Sequence, residues 1–463
     1  MPSFTLHVPF AAMADGRTGL LWARARTAAP VGGGLALVGL AAYVILALAG
    51  HTLTPRDYTA AAAMFLITSI VGPGVFAAVE QQTNHEVSGR LAAGARAAAT
   101  MRAAGLVCAG LALLMVVVVV ALSPVLVPRV FAGHDGLLAA TVLALLGAAA
   151  AYLLRGVFAG QRRFRWYAGS LAAEGLGRLL PCLALVTFGA ASADRFGFGY
   201  AMGCGLAALV TLPGLLRGRH PASKRLRADV AHGDLPPLRP MAAAVAWLAG
   251  ASGLTLMLTN LAPVIVSSRL SDVAYEPSGH DLAASFVSLF MMSRIPLFLF
   301  APVQAFLLPA VTSALARGDL AAARERVRTV LRAVFAVGVP GVVAAGLLGP
   351  WASGVFFTAP IQLSGIIAAL LAAGAVIMMI AQVLQPTLVA LGRHRAATLA
   401  WLVASVLFVG LLFAPIPPLP AAVIAQLVAP AVVCVLMTFT LVREVRGRAA
   451  AGQGSLATVT NSL

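Results

Sequence analysis

Read from its first residue, the chain alternates between long apolar runs and short polar gaps. Twelve runs can be marked, with cores at 31–50, 58–79, 103–126, 136–154, 167–190, 196–216, 241–266, 282–310, 333–349, 363–391, 396–414 and 420–442. Their lengths suit the roughly 20 apolar residues that a helix needs to cross a hydrocarbon core. Helix is the form they predict, because an open strand cannot satisfy its backbone in lipid. The eighth and tenth runs are long and carry Pro296, Pro302, Pro309 and Pro386, which predicts tilt or a kink. The first run is longer than a secretory signal core and many spans follow it, so it reads as a retained helix.

Composition agrees with the pattern. Of 463 residues, 60% are hydrophobic and 10% are charged, against about 25% charged in soluble domains. Mean hydropathy is +0.95. The class is an all-α, multi-pass membrane protein with no sizeable soluble domain. The net charge of +17 would suggest nucleic acid in a soluble chain, but orientation in a bilayer explains it instead. With the N-terminus, every even-to-odd loop and the C-terminus on one side, that side holds 26 of the 32 Lys and Arg. The opposite side holds Arg56, Arg129, Arg195 and Arg269, and Arg178 and Arg294 lie within spans. The positive-inside rule then places both termini in the cytoplasm of a cell-membrane protein.

The longest polar gap, 217–240, is basic and central, and reads as a cytoplasmic linker between a bundle at 31–216 and a bundle at 241–442. Six spans are an even number, so both halves share one orientation and can be parallel repeats. A shift of 224 residues lays 69–81 on 293–305, with Ser69/Ser293, Phe76/Phe300, Ala77/Ala301 and Val79/Val303 coinciding. Residues 1–30 form a cytoplasmic segment. The tail at 443–463 is also cytoplasmic, and the small polar composition of its end, 451–463, predicts disorder. The four cysteines (Cys108, Cys182, Cys204, Cys434) sit in apolar runs without metal-ligand spacing and read as packing residues.

Charges inside the spans carry the most information, since one near the bilayer centre costs roughly 2.5–3.5 kcal/mol on insertion scales. Glu174 and Arg178 are four apart with the acid first, the favourable order for a helical ion pair. They are either a structural pair or a gating and substrate-contacting one. Arg294 has no acid within a turn. Either Glu80 or another acid reaches it across helices, or it lines a hydrated cavity and awaits an anion. Glu80 is followed by Gln81, Gln82, Asn84, His85 and Glu86, a polar vestibule or the solvated end of helix two. Asn260, Gln382 and Gln385 read as interhelical hydrogen-bonding groups. Arg324, Arg328 and Arg332 recur every four residues behind Asp319, a candidate N-cap. They predict a basic face on a surface helix drawn to anionic lipid.

The short outer loops carry no paired carboxylates, no metal cluster and no nucleophile with a base, and the chain has no phosphate-binding Walker motif. No enzymatic activity, metal or cofactor is expected. The stretch RIPLFLFAPVQAFLLPAVTSALARGD (294–319) resembles the eighth-helix region of polysaccharide and O-antigen flippases of the multidrug/oligosaccharidyl-lipid/polysaccharide exporter superfamily. Residues 153–180 resemble that family's helix 4–5 junction through Arg155, Gly156, Gly160, Arg163, Phe164, Glu174 and Arg178, and 388–401 its tenth-helix exit through Gly392 and Arg393.

The resemblance spans about 31–442. It implies two six-helix bundles around a central hydrated cavity, working by alternating access on a lipid-linked sugar. The family's cationic cavity maps onto Arg294 and Arg178. Twelve spans rather than the fourteen frequent in lipid II flippases argue against the peptidoglycan precursor. The expected cargo is a polyprenyl-diphosphate-linked oligosaccharide, with envelope glycosyltransferases or a polymerase as possible partners. Arginine suits the diphosphate because its planar fork donates paired hydrogen bonds. The nearest rival is a proton- or sodium-coupled drug antiporter using Glu174 or Glu80. A membrane glycosyltransferase, a polymer ligase and an envelope scaffold are further alternatives.

Overall fold

The computed structural model describes residues 10–95, 97–216, 238–271, 278–295, 297, 320–391 and 393–460; of side chains before 29 and after 444 nothing is said. Twelve helices follow in chain order. The first six are α1 (Phe10–Thr52), α2 (Pro55–Ala92), α3 (Ala98–Val130), α4 (Asp135–Gly160), α5 (Phe164–Thr187) and α6 (Ala193–Leu216). The second six are α7 (Leu238–Leu270), α8 (Gly279–Ser293), α9 (Leu320–Phe357), α10 (Gly365–Ala390), α11 (His394–Leu412) and α12 (Pro418–Thr460). Eleven are long and apolar enough to cross a membrane. The exception is α8, whose described part has 15 residues.

Local chemistry sets several boundaries. Thr54 caps α2, its hydroxyl accepting from the Asp57 amide at 3.2 Å with Pro55 at the first helical position, and Ser364 caps α10 in the same way. Within α2 the sequence Gly72-Pro73-Gly74 sits in a π-helical turn (Gly72–Phe76), because proline removes a hydrogen bond from the α ladder. Exposed Leu113, Val117, Val120, Leu347, Val406 and Val435 present apolar surface outward from α3, α9, α11 and α12, as a lipid-solvated protein requires.

The two halves repeat their packing. In the first, α4 and α5 pack on α6 and α1 packs on α5. In the second, α10 and α11 pack on α12 and α7 packs on α11. The architecture is therefore two six-helix bundles in parallel repeat. They meet mainly through α2 against α7 and α8, with Ser252 donating to the Gly74 carbonyl at 2.6 Å. At the end that the loop charges place outside, Thr358 donates to the Gly50 carbonyl, and Ser271 to the Arg129 carbonyl at 3.3 Å. The outer ends of the bundles are in contact.

Three expectations change. No break separates a surface helix from the ninth span: α9 is continuous from Leu320, so Arg324, Arg328 and Arg332 lie on its N-terminal extension. Arg328 and Arg332 flank Glu325 at 3.7 and 3.1 Å, which partly neutralises the expected basic face. The last helix continues to Thr460, past the point where composition predicts disorder. The linker at 217–240 and the repeat match at 298–305 lie largely outside the described residues.

Candidate functional site

Two groups of polar side chains lie within the spans. The first is inside the N-terminal bundle. Glu174 of α5 accepts ion pairs from both Arg178, one helical turn on, and Arg155 of α4. Glu174 and Arg155 are each 2% exposed. Arg155 also donates from Nε to the Ser170 hydroxyl at 3.0 Å and stacks over Tyr152 at 5.2 Å. Arg178 lies over the Tyr200 ring at 4.4 Å and donates to Cys204 Sγ at 3.0 Å. One carboxylate thus neutralises half of two buried guanidinium charges, and tyrosine faces take up part of the rest.

This cluster revises the sequence reading. The Glu174–Arg178 pair exists, but Arg155, which the loop charge count placed in the cytoplasm, is its third member inside α4. Arg178 is paired with Glu174 and packed among α5 and α6, apart from Arg294. Glu80 does not reach Arg294. It accepts from Tyr167 at 2.7 Å and lies within electrostatic reach of Arg155 and Glu174.

Close helix packing makes the cluster possible. Gly156 and Gly160, one turn apart on α4, let α2 approach: a Cβ on Gly156 would fall 2.7 Å from the Glu80 backbone oxygen, and one on Gly160 2.7 Å from Val87 Cβ. This is the small-residue seam by which membrane helices pack without a hydrophobic drive between them.

The second group lies where the bundles meet. α8 ends at Ser293, and Arg294 is its C-cap. The span turns at Arg294 and is helical again at Ile295 and Leu297, an interruption in keeping with Pro296, which removes a hydrogen bond from the helix ladder. Counting from Gly279, Arg294 lies roughly 22 Å along the helix at 1.5 Å per residue, past the midpoint of a core about 30 Å thick. Among the described residues it has no carboxylate within ion-pairing distance and no hydrogen-bond acceptor. Its guanidinium sits 4.1 Å from the centre of the Phe290 ring, at the carbonyl end of α8, where the helix dipole favours a cation. Tyr43 of α1 lies within electrostatic reach of it and donates to the Met291 carbonyl at 3.3 Å, and Ser288 donates to Tyr58 at 3.3 Å. Both contacts cross between bundles. Arg294 is 6% exposed, so the hydrated surroundings expected for it are not displayed in this arrangement.

Gln385 of α10 accepts from the Trp401 indole of α11 at 3.2 Å, and Gln382 is also engaged. Asn260 donates to Leu256 of its own helix at 3.1 Å, so it does not bond between helices. His85, Glu86 and Arg90 border an open depression near the C-terminal end of α2, in keeping with a solvated helix end. Among the described residues no group of three metal-ligating side chains occurs.

Comparison with solved structures decides the fold. The chain superposes on an inward-facing multidrug resistance MATE family transporter of the MOP superfamily with a TM-score of 0.69, at 13% identity, over 89% of this chain and 96% of the other. The chain has the MATE transporter fold. The outward-facing form of a MATE family transporter of that superfamily gives a TM-score of 0.57 at 12% identity, over 90% and 96%. The eukaryotic MATE transporter AtDTX14 gives 0.60 at 18% identity, over 91% and 97%. No protein-family model matches the chain. Among curated proteins it is similar to uncharacterized protein Rv3630 of Mycobacterium tuberculosis (strain ATCC 25618 / H37Rv), 26% identical over 87% of this chain and 89% of that one. It is also similar to Rv1510 of the same strain, 27% identical over 90% and 91%.

Proposed function

We propose that the protein is an alternating-access membrane transporter that moves a polyprenyl-diphosphate-linked oligosaccharide, or a related envelope glycolipid, from the cytoplasmic to the outer leaflet. The observation that carries this reading is Arg294: a buried cation without a carboxylate, at a helix break where the two bundles meet. Such a charge is retained at a cost and suits an anion that arrives and leaves.

In the proposed cycle the diphosphate head group approaches from the cytoplasm and pairs with the Arg294 fork. The bundles then rearrange about the α2–α7 contact, and the outer ends separate to release it. One guanidinium attracts without trapping. A glycosyltransferase or ligase is the weaker reading, since Asp57 and Asp194 at the outer end are both engaged by His134, at 2.9 and 3.5 Å. In cells, Arg294→Ala should accumulate the lipid-linked intermediate on the cytoplasmic side, and Arg294→Lys should restore translocation only in part, since a point charge lacks the fork. Normal translocation by Arg294→Ala at normal protein abundance contradicts the proposal.

A second reading has one observation in its favour. Glu80 is held by a tyrosine hydroxyl and, among the described residues, has no cation within ion-pairing distance. A carboxylate in that position suits a proton-coupled antiporter of amphiphilic compounds, and the MATE transporter fold accommodates this equally well. Drug sensitivity of a deletion strain with unchanged surface glycans would favour it.

A further inference from the structure

The outer side of the protein carries four arginines, and two of them are held by backbone carbonyls away from any cavity. Arg269 donates to Leu412, Ala414 and Ile416, and Arg195 to Ala190. The other two, Arg56 and Arg129, come together around a cavity of about 90 Å³ that is also lined by Thr59, Ser267, Ser271 and His280. That space holds several waters, enough for a small oxyanion and too little for a sugar chain.

Three features point to an anion. Arg129 has no ion-pair or hydrogen-bond partner for its side chain among the described residues. Arg56 donates from Nη2 to the Ala132 carbonyl at 3.0 Å and keeps its remaining donors. The Ser267 hydroxyl, on a residue 7% exposed, is buried without a partner, a costly condition that an acceptor would relieve. Among the described residues no carboxylate lines the cavity, and nearby Asp57 is taken by His134 at 2.9 Å.

The walls belong to different bundles. Arg56, Thr59 and Arg129 come from α2 and α3, while Ser267 and His280 come from α7 and α8, and Ser271 follows α7 directly. We infer that this is an extracytoplasmic site for a phosphate-class oxyanion, formed only while the outer ends of the bundles are together. A ligand that binds one of two states shifts the population toward it by its differential affinity. An external phosphate group therefore favours the inward-facing form, whatever the cargo is. The inference rests on this cavity and not on Arg294. The oxyanion can be free phosphate or the phosphodiester of an outer-leaflet lipid.

The test uses the full-length protein in nanodiscs of zwitterionic phosphatidylcholine, titrated calorimetrically with inorganic phosphate at constant ionic strength. Spin labels at T187C and F413C report the separation of the outer ends. The expected result is one saturable site, weakened at least tenfold by R129Q and abolished in R56Q/R129Q, with phosphate enriching the short-distance population. In nanodiscs of phosphatidylglycerol, unchanged phosphate binding identifies the free ion as the ligand. Loss of phosphate binding, together with a short-distance population already full in wild type but not in R56Q/R129Q, identifies the lipid head group. Equal phosphate binding by wild type and R56Q/R129Q overturns the inference, as does absence of any binding or distance change in both lipids. R129Q leaves the Arg56–Ala132 bond intact, so its effect is separable from a loosened loop.

Discussion

Glu174 neutralises two arginines at once, and that arrangement predicts an asymmetry among its substitutions. Removing the carboxylate leaves two like charges buried together, whereas removing Arg178 leaves Glu174 paired with Arg155. Breaking a buried pair from one side costs about 3–5 kcal/mol, while replacing a whole charged group by apolar residues of similar volume is often neutral or stabilising. Glu174→Gln should therefore lower the thermal unfolding temperature of the purified protein markedly, Arg178→Met less, and the triple change R155M/E174L/R178M least. Equal losses for Glu174→Gln and the triple change would show that the charges act some other way. Two of the three members of this cluster were legible in the sequence. The i, i+4 spacing announced Glu174 and Arg178, but Arg155 was counted as a loop charge because it lies close to the end of its apolar run. A usable signal existed. Arg155 precedes the end of α4 by five residues and Glu174 follows the start of α5 by ten, a depth difference of roughly 7.5 Å that an extended arginine can bridge.

At the level of helices, hydropathy located the spans well because lipid imposes length and apolarity on each one separately. It could not show how they approach one another. The Gly156–Gly160 seam on α4 and the Gly74 contact on α2 depend on which helix lies opposite, and no periodicity encodes that. Gly156→Val should drive α4 from α2 and displace Glu80, costing about 1–3 kcal/mol as overpacking does. Gly105→Ala, where an added Cβ meets nothing within 4 Å, should change stability little. The check is unfolding temperature and monodispersity in detergent, and equal behaviour of the two variants would remove the seam from the account. The end of α8 at Ser293 was likewise hidden. A run of apolar residues through three prolines reads as one long kinked span, and the structure places the interruption at Arg294, with Ile295 and Leu297 helical again beyond it.

For the whole molecule, the two-bundle organisation followed from the parity of the spans and the bias of the loop charges. The equivalent packing of α4, α5, α6 and α10, α11, α12 bears it out. The conformational state was not legible, since joined outer ends arise from contacts between residues hundreds apart, such as Thr358 with Gly50. The proposed function rests at every scale on one cation, Arg294, buried where the bundles meet. Hydrogen bonds to charged groups contribute about 1.5–3 kcal/mol, or roughly 10- to 150-fold in affinity. The most direct measurement is binding of a short-chain prenyl-diphosphate disaccharide to the purified protein, compared with its uncharged prenyl-alcohol counterpart. The account predicts a preference of at least tenfold for the diphosphate, lost in Arg294→Ala and partly kept in Arg294→Lys. Equal binding of the two compounds by wild type, or an undiminished preference in Arg294→Ala, would contradict it.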